Sequence, residues 1–214
     1  MNFNRVAPWF ERLEKIVFRE QMQYCRTAFL SDLPEIKKAA LIGEGNGTFL
    51  IQFLQQCKCE EIHYIDSSET MLELAQNRLR KNVQSGLERI EFHSCDLTHE
   101  ALPAQNYDLI VTNFFLDVFN EATLNEVVSK ISSACTDEAH WLYADFQVTG
   151  NRFRRWRAIA WVKTMYLFFK FAAGIQTMRL SDPSTLLDRN GFQVISSNEF
   201  DNELMRAELR QRRI

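Results

Sequence analysis

A doubly wound α/β fold, with a mostly parallel sheet of seven strands in a single domain spanning 1–214, is predicted by three features of the sequence. Short apolar runs alternate with stretches of helical periodicity, the first run ends in a cluster of glycines, and the next four runs each end on an acidic residue or an asparagine. The length of 214 residues, with 46% hydrophobic and 25% charged, fits one soluble domain and argues against a disordered chain or a disulfide-stapled miniprotein. A net charge of -3 argues against a surface that is basic throughout, as nucleic-acid binding usually requires.

The first strand ends in Leu41-Ile42, and Gly43-Glu44-Gly45-Asn46-Gly47 follows before a helical run from Phe49. A sharp turn at a strand's C-terminal end, free of side chains that would hold a ligand off the backbone, needs this spacing. Glu61-Ile62-His63-Tyr64-Ile65-Asp66 reads as the second strand, and the helix after it carries Met71, Leu72, Ala75 and Leu79 on one face, capped by Ser67 or Ser68. A third strand, 89–95, ends at Asp96. A fourth, 107–112, ends at Asn113, a helix covers about 122–133, and a fifth strand, 139–144, ends at Asp145. Pro183 and Gly191 bound a later helix, Phe192-Gln193-Val194-Ile195 reads as the sixth strand, and 204–210 as the last.

In such sheets ligands bind beyond the carboxyl ends of the strands. Gly43, Gly45, Gly47, Asp66, Asp96, Asn113 and Asp145 all fall there. Asp66 follows the glycine turn at the distance from which a carboxylate accepts hydrogen bonds from a ribose diol, so a nucleoside-containing ligand is expected. Each of these residues taken singly also suits a turn or cap. A dinucleotide oxidoreductase would place a third glycine where Thr48 stands.

The whole arrangement resembles the class I S-adenosylmethionine-dependent methyltransferases of the small-molecule branch, with their Rossmann-like sheet, from Phe3 to the last strand. Residues 39–47 look like the family's first motif. The resemblance implies S-adenosyl-L-methionine as cofactor, with Asp66 and its neighbour Ser67 at the ribose, and Asp96 and Leu97 at the adenine. Residues 107–113 are similar to the fourth-strand motif, which brings Asn113 to the cofactor. Phe3-Asn4-Arg5-Val6-Ala7-Pro8-Trp9-Phe10 resembles the family's N-terminal lid, so Trp9 and Phe10 are expected at the substrate and 1–34 as a helical lid. The last strand is implied to run antiparallel. Leu41 stands where many members carry an acidic residue, and Glu44 is the candidate to supply that contact instead. Asn113-Phe114-Phe115-Leu116 lacks both prolines of the Asn-Pro-Pro-Tyr motif, which disfavours bases and glutamine as acceptors but leaves Phe114 facing a substrate.

The segment 150–174 reads as an inserted helix after the fifth strand, rich in aromatics, with Arg152, Lys163 and Lys170 on one stripe. From Phe146 to Ser181 there are seven basic residues and no acidic one. This segment either packs on the sheet with its arginines solvated or receives a lipophilic or anionic acceptor. Arg154 and Arg157 then become candidates to hold a phosphate or carboxylate. Its length and lysines argue against an integral span, and peripheral membrane contact is left open.

The expected reaction is methyl transfer to a small or lipid-like acceptor, with Asp117 or Asp145 as proton acceptor if the nucleophile must lose a proton. A nicotinamide oxidoreductase, an RNA methyltransferase and a catalytically silent cofactor-binding protein are the alternatives. Five cysteines without a C-x-x-C pair suggest neither a disulfide framework nor a metal site, and the N-terminal residues lack a signal sequence, so a cytoplasmic location is expected.

Overall fold

The computed structural model describes residues 21–146, 183–201 and 203–213. Its elements in chain order are α1 (Gln21–Thr27), β1 (Ile36–Ile42), α2 (Thr48–Gln56), β2 (Cys59–Asp66), α3 (Glu69–Asn82), β3 (Ile90–Ser94), β4 (Tyr107–Asn113), α4 (Glu121–Ser133), β5 (Cys135–Phe146), α5 (Ser184–Arg189), β6 (Phe192–Phe200) and β7 (Met205–Arg212). The strands lie in the order β3-β2-β1-β4-β5-β7-β6. All neighbours from β3 to β5 are parallel, and β7 runs antiparallel to both β5 and β6, as expected for the last strand.

Side chains alternate across the pleat, so adjacent strand residues feed two separate cores. Ala39, Leu41, Ile62, Tyr64, Leu109 and Val111 pack against Phe49, Phe53, Leu72 and Leu79 of α2 and α3, with Met22 and Cys25 of α1 closing that side. Ala40, Ile42, Ile65, Ile110 and Trp141 pack against Leu124, Val127, Val128 and Ile131 of α4 and Leu187 of α5.

Local chemistry sets the helix starts. The Ser68 hydroxyl accepts the Met71 amide and the Asn120 side chain accepts the Thr123 amide, each satisfying an amide the first turn leaves open. Glu69 and Glu121 stand in those first turns, where the helix dipole favours a negative charge.

Two strands, β5 and β6, exceed their predicted lengths most. β5 begins at Cys135, opposite Tyr107, rather than at Ala139; a register irregularity follows before pairing resumes at His140, and the polar Thr136, Asp137 and Glu138 in between hide the β signal. β6 continues through the largely exposed 196–200, paired with β7 along its whole length after a register shift. The inserted segment 150–174 and the residues before Gln21 lie outside the described residues. Among the described residues no helix is long and apolar enough to cross a membrane.

Candidate active site

The chain runs outward through β1, β2 and β3 and then returns to place β4 beside β1. This is the point where crossovers diverge and a crevice opens beyond the strand ends. The glycine turn sits on one side of that crevice. Gly43 has φ +67, and a side chain there would collide with the Phe115 ring, while its amide donates to the Ile65 carbonyl at 2.8 Å. Gly47 has φ +78, and a Cβ would lie 2.8 Å from Ala75 Cα, so the turn can seat against α3 only without one. Gly45 differs: a Cβ there would approach nothing nearer than Met71 Sδ at 4.0 Å. The space above its backbone is open. The Tyr64 hydroxyl donates to the Gly45 carbonyl at 3.0 Å and anchors the turn from below.

Glu44 is 5% exposed, which rules out a solvated loop carboxylate. Its Oε1 accepts the Asn113 amide at 3.3 Å, tying the end of β1 to the end of β4 across the crevice. Its Oε2 is buried without a hydrogen-bond partner among the described residues. Burial raises the Glu44 carboxyl to about 7, against the pull of Arg26 and the Asn113 amide. Arg26 of α1 is itself buried and lies 5.2 Å from the centre of the Phe114 ring. A buried carboxylate oxygen with an unused lone pair beside a guanidinium suits a zwitterionic ligand, its ammonium to Glu44 and its carboxylate to Arg26.

At the end of β2, Asp66 Oδ1 accepts the Ser68 amide at 2.9 Å. Burial raises this carboxyl to about 6, with the Ser68 and Gly45 amides opposing. Ser67 beside it is exposed. At the end of β3, Asp96 Oδ1 accepts both the amide (3.0 Å) and the hydroxyl (2.6 Å) of Thr98. Burial works upward on its carboxyl, but the two Thr98 bonds outweigh it and keep the group below its ordinary value. The Leu97 side chain is buried in the core against α4, and its carbonyl accepts the Lys130 ammonium at 2.9 Å, so only its backbone amide side is left to meet a ligand.

Beyond β4 the chain bends sharply. Phe114 has φ 55, its amide donates to the Ala144 carbonyl at 2.7 Å, and its ring packs 4.8 Å from that of Phe146. The bend delivers Asp117 to Asp145, whose Oδ2 accepts the Asp117 amide at 3.1 Å. With Asp145 protonated, its carboxyl can donate to that of Asp117. Burial raises Asp117 to about 6, its bond from Asp145 holding it lower than burial alone would, while burial and the neighbouring Asp117 charge push Asp145 well above the carboxylate range. Cys25 stands close by, but burial lifts its thiol to about 12, which makes it a packing residue and no nucleophile.

The crevice thus gathers Gly43, Glu44, Gly45, Gly47, Asp66 and Asn113, with Asp117 and Asp145 paired beyond β4 and β5. Trp9, Phe10, Arg154 and Arg157 lie outside the described residues. His140 lies five residues before Asp145 in β5, towards the opposite end of the strand. Arg26 and Tyr64 carry no sequence signal of their role: one sits in a short helix, the other inside an apolar run, and only the fold brings them to the turn.

Glu44 makes a stability prediction. A carboxyl raised on folding stabilises the native state below its unfolded value of 4.5, and that contribution is lost as pH rises through about 7. Asp66 and Asp117 act in the same direction. Urea unfolding of the ligand-free protein should therefore show stability falling from pH 5 to pH 8. Glu44→Gln should recover up to about 3 kcal/mol at pH 8 and almost nothing near pH 4. An unchanged pH slope in the variant would contradict the burial of this carboxyl.

Residues 41–141 match the family model described as a methyltransferase domain. No curated protein matches the chain in sequence. Three solved structures share the fold. The N-methyltransferase NodS of Bradyrhizobium japonicum, solved with S-adenosyl-L-homocysteine, superposes with a TM-score of 0.67 at 15% identity over 98% of this chain and 96% of its own. The 1,6-didemethyltoxoflavin-N1-methyltransferase of Burkholderia thailandensis, solved with 1,6-didemethyltoxoflavin and S-adenosylhomocysteine, gives 0.69 at 12% identity over 99% and 86%. A putative O-methyltransferase of Nostoc punctiforme gives 0.68 at 17% over 98% and 60%. The chain therefore has the fold of these solved S-adenosylmethionine-dependent methyltransferases, and its residues 41–141 match the methyltransferase-domain family.

Proposed function

We propose that the chain transfers the methyl group of S-adenosyl-L-methionine to a small-molecule acceptor, lipophilic and anionic acceptors included. The observation that carries this reading is the pairing of the open Gly45 backbone with the unsatisfied Glu44 oxygen in the crevice. Together they suit a nucleoside joined to an amino acid better than a dinucleotide, which has a pyrophosphate where Glu44 would repel it. Asp66 would take the ribose hydroxyls, the Asp96-Leu97 turn the adenine, and Glu44 with Arg26 the amino-acid end. The cofactor supplies an activated methyl group, and the chain's own work is orientation and exclusion of water. Asp117 is suited to accept the acceptor's proton. It is the half-buried member of the pair, Asp145 being fully buried, and its raised carboxyl still ionises below neutral pH. The solved relatives include enzymes named for nitrogen and for oxygen, so the fold itself does not fix the methylated atom. We assign acceptor contacts to Phe114 and, outside the described residues, to Trp9, Phe10, Arg154 and Arg157.

Calorimetry with S-adenosylmethionine and with NAD tests the reading. Wild type should bind the first and not the second, and Asp66→Ala should weaken binding about ten- to hundredfold, the value of hydrogen bonds to a charged group. A folded wild-type protein that does not bind S-adenosylmethionine would end the methyltransferase reading, and heat with NAD in its place would favour an oxidoreductase.

A further inference from the structure

Away from the crevice, the face of the sheet that α4 covers over its centre ends differently at β2 and β3. The β3-β4 connection, 95–106, contains no helix, and the edge of that face is polar rather than packed. In parallel register His63 lies beside Glu91, and Ile65 beside His93. Residues two apart on a strand share a face, so Glu61, His63, Glu91 and His93 project together. The rings of His63 and His93 stand 4.7 Å apart. His63 Nε2 is 3.8 Å from Glu91 Oε2, and His93 Nε2 is 3.4 Å from the same oxygen. The ligand atoms of all three side chains lie within 4.8 Å of one another.

We propose that His63, Glu91 and His93 form a binding site for one divalent transition-metal ion of the zinc type, with water completing a tetrahedron. Two imidazoles and a carboxylate are a donor set zinc accepts. Ligands at ordinary zinc distances of ~2.0–2.1 Å lie roughly 3.3 Å from each other in a tetrahedron, so the three side chains need only a small rotameric closure. Two further features suit an ion better than a network of ordinary hydrogen bonds. His93 Nε2 is buried yet makes no hydrogen bond to any described residue. His63, 3% exposed, has its other nitrogen, Nδ1, at 2.9 Å from the Tyr107 hydroxyl, which can accept from Nδ1–H once a metal replaces the proton at Nε2. Glu61 contacts His63 Nε2 at 2.7 Å and Lys38 at 3.0 Å. When a metal takes Nε2, Glu61 keeps its lysine and adds a second negative charge to the surroundings. Glu91 is 60% exposed, which leaves the ion an entry path and room for water. The ion would bridge β2 to the edge strand β3, three positions before Asp96, and so brace the end of the sheet that carries the proposed adenine contact. The site does not depend on the methyltransferase reading.

Cobalt(II) titrated into the metal-free full chain, followed by visible absorption and reversed with zinc(II), tests the site. Wild type should take up one cobalt ion with nitrogen and oxygen ligand-field bands and no intense near-ultraviolet thiolate band, and one zinc ion should displace it. His93→Ala should lower affinity by at least about tenfold, and Tyr107→Phe, which removes only the outer hydroxyl, by about tenfold. Circular dichroism of each variant confirms that it is folded, and at one fixed zinc concentration the rise in Tm should be larger for wild type than for His93→Ala. The absence of a cobalt spectrum, a thiolate band, or equal affinity in folded His93→Ala would each overturn the proposal.

Discussion

Asp117→Asn is expected to lower kcat by about 10²–10⁴-fold for an acceptor that must lose a proton, with S-adenosylmethionine affinity nearly unchanged. The argument rests on position and protonation. Asp145 is sealed at 1% exposure with its oxygens accepting the amides of Asp117 and Phe146, and burial with the Asp117 charge beside it keeps its carboxyl well above the carboxylate range. Asp145 therefore acts through Asp117, holding it in place and donating to it. Wild-type activity should rise with pH through about 6 as Asp117 ionises. Asp145→Asn keeps a donor to Asp117 and should retain this limb near the same pH. Asp145→Ala removes the bond that holds the Asp117 carboxyl down, and should move the limb to higher pH. A pH-rate profile for the three variants separates the roles. Full activity in Asp117→Asn with an oxygen acceptor would remove Asp117 from the mechanism.

What the sequence made legible was local. The glycine turn, Asp66, Asp96 and Asn113 are read from spacing because each closes an apolar run, and strand periodicity survives where both faces of the sheet are covered. β5 and β6 outrun their sequence signal where they run along solvent: exposed Asp137 and Glu138 sit in the irregular start of β5, and Ser196 to Glu199 carry no alternation of apolar residues and are strand through their pairing with β7. Glu44 was visible as a candidate, but its burial was not, because it depends on Arg26 of a different helix and on the Asn113 amide 69 residues away. The pairing of Asp117 with Asp145 likewise depends on the left-handed bend at Phe114, a conformation the residue type does not advertise.

Glu208 and Arg210 show the same limit inside the core, where the largest change in stability is expected. Both lie in β7 at 0% exposure, the guanidinium 2.5 Å from the carboxylate. Arg210 also donates to Asp188 of α5 at 2.7 Å and to the Phe192 carbonyl at 2.9 Å, while Glu208 receives Arg206 from the strand's open side. Breaking a buried pair from one side leaves the Glu208 charge with only the half-exposed Arg206 to offset it, so Arg210→Met should cost up to about 3–5 kcal/mol in urea unfolding. Replacing both, Glu208→Leu with Arg210→Met, should return most of that loss, since two desolvated charges are replaced by packed carbon. The consequence reaches the crevice. β7 pairs with β5 from His140 to Phe146, with Asp145 opposite Arg206, so a loosened β7 displaces the carboxyl on which Asp117 rests. Arg210→Met should therefore lose activity at temperatures where it is still folded, and the double replacement should regain it together with stability. Equal stability of wild type and Arg210→Met would mean that Arg206 alone compensates Glu208 or that Glu208 takes up a proton, and that β7 is held by its backbone ladder.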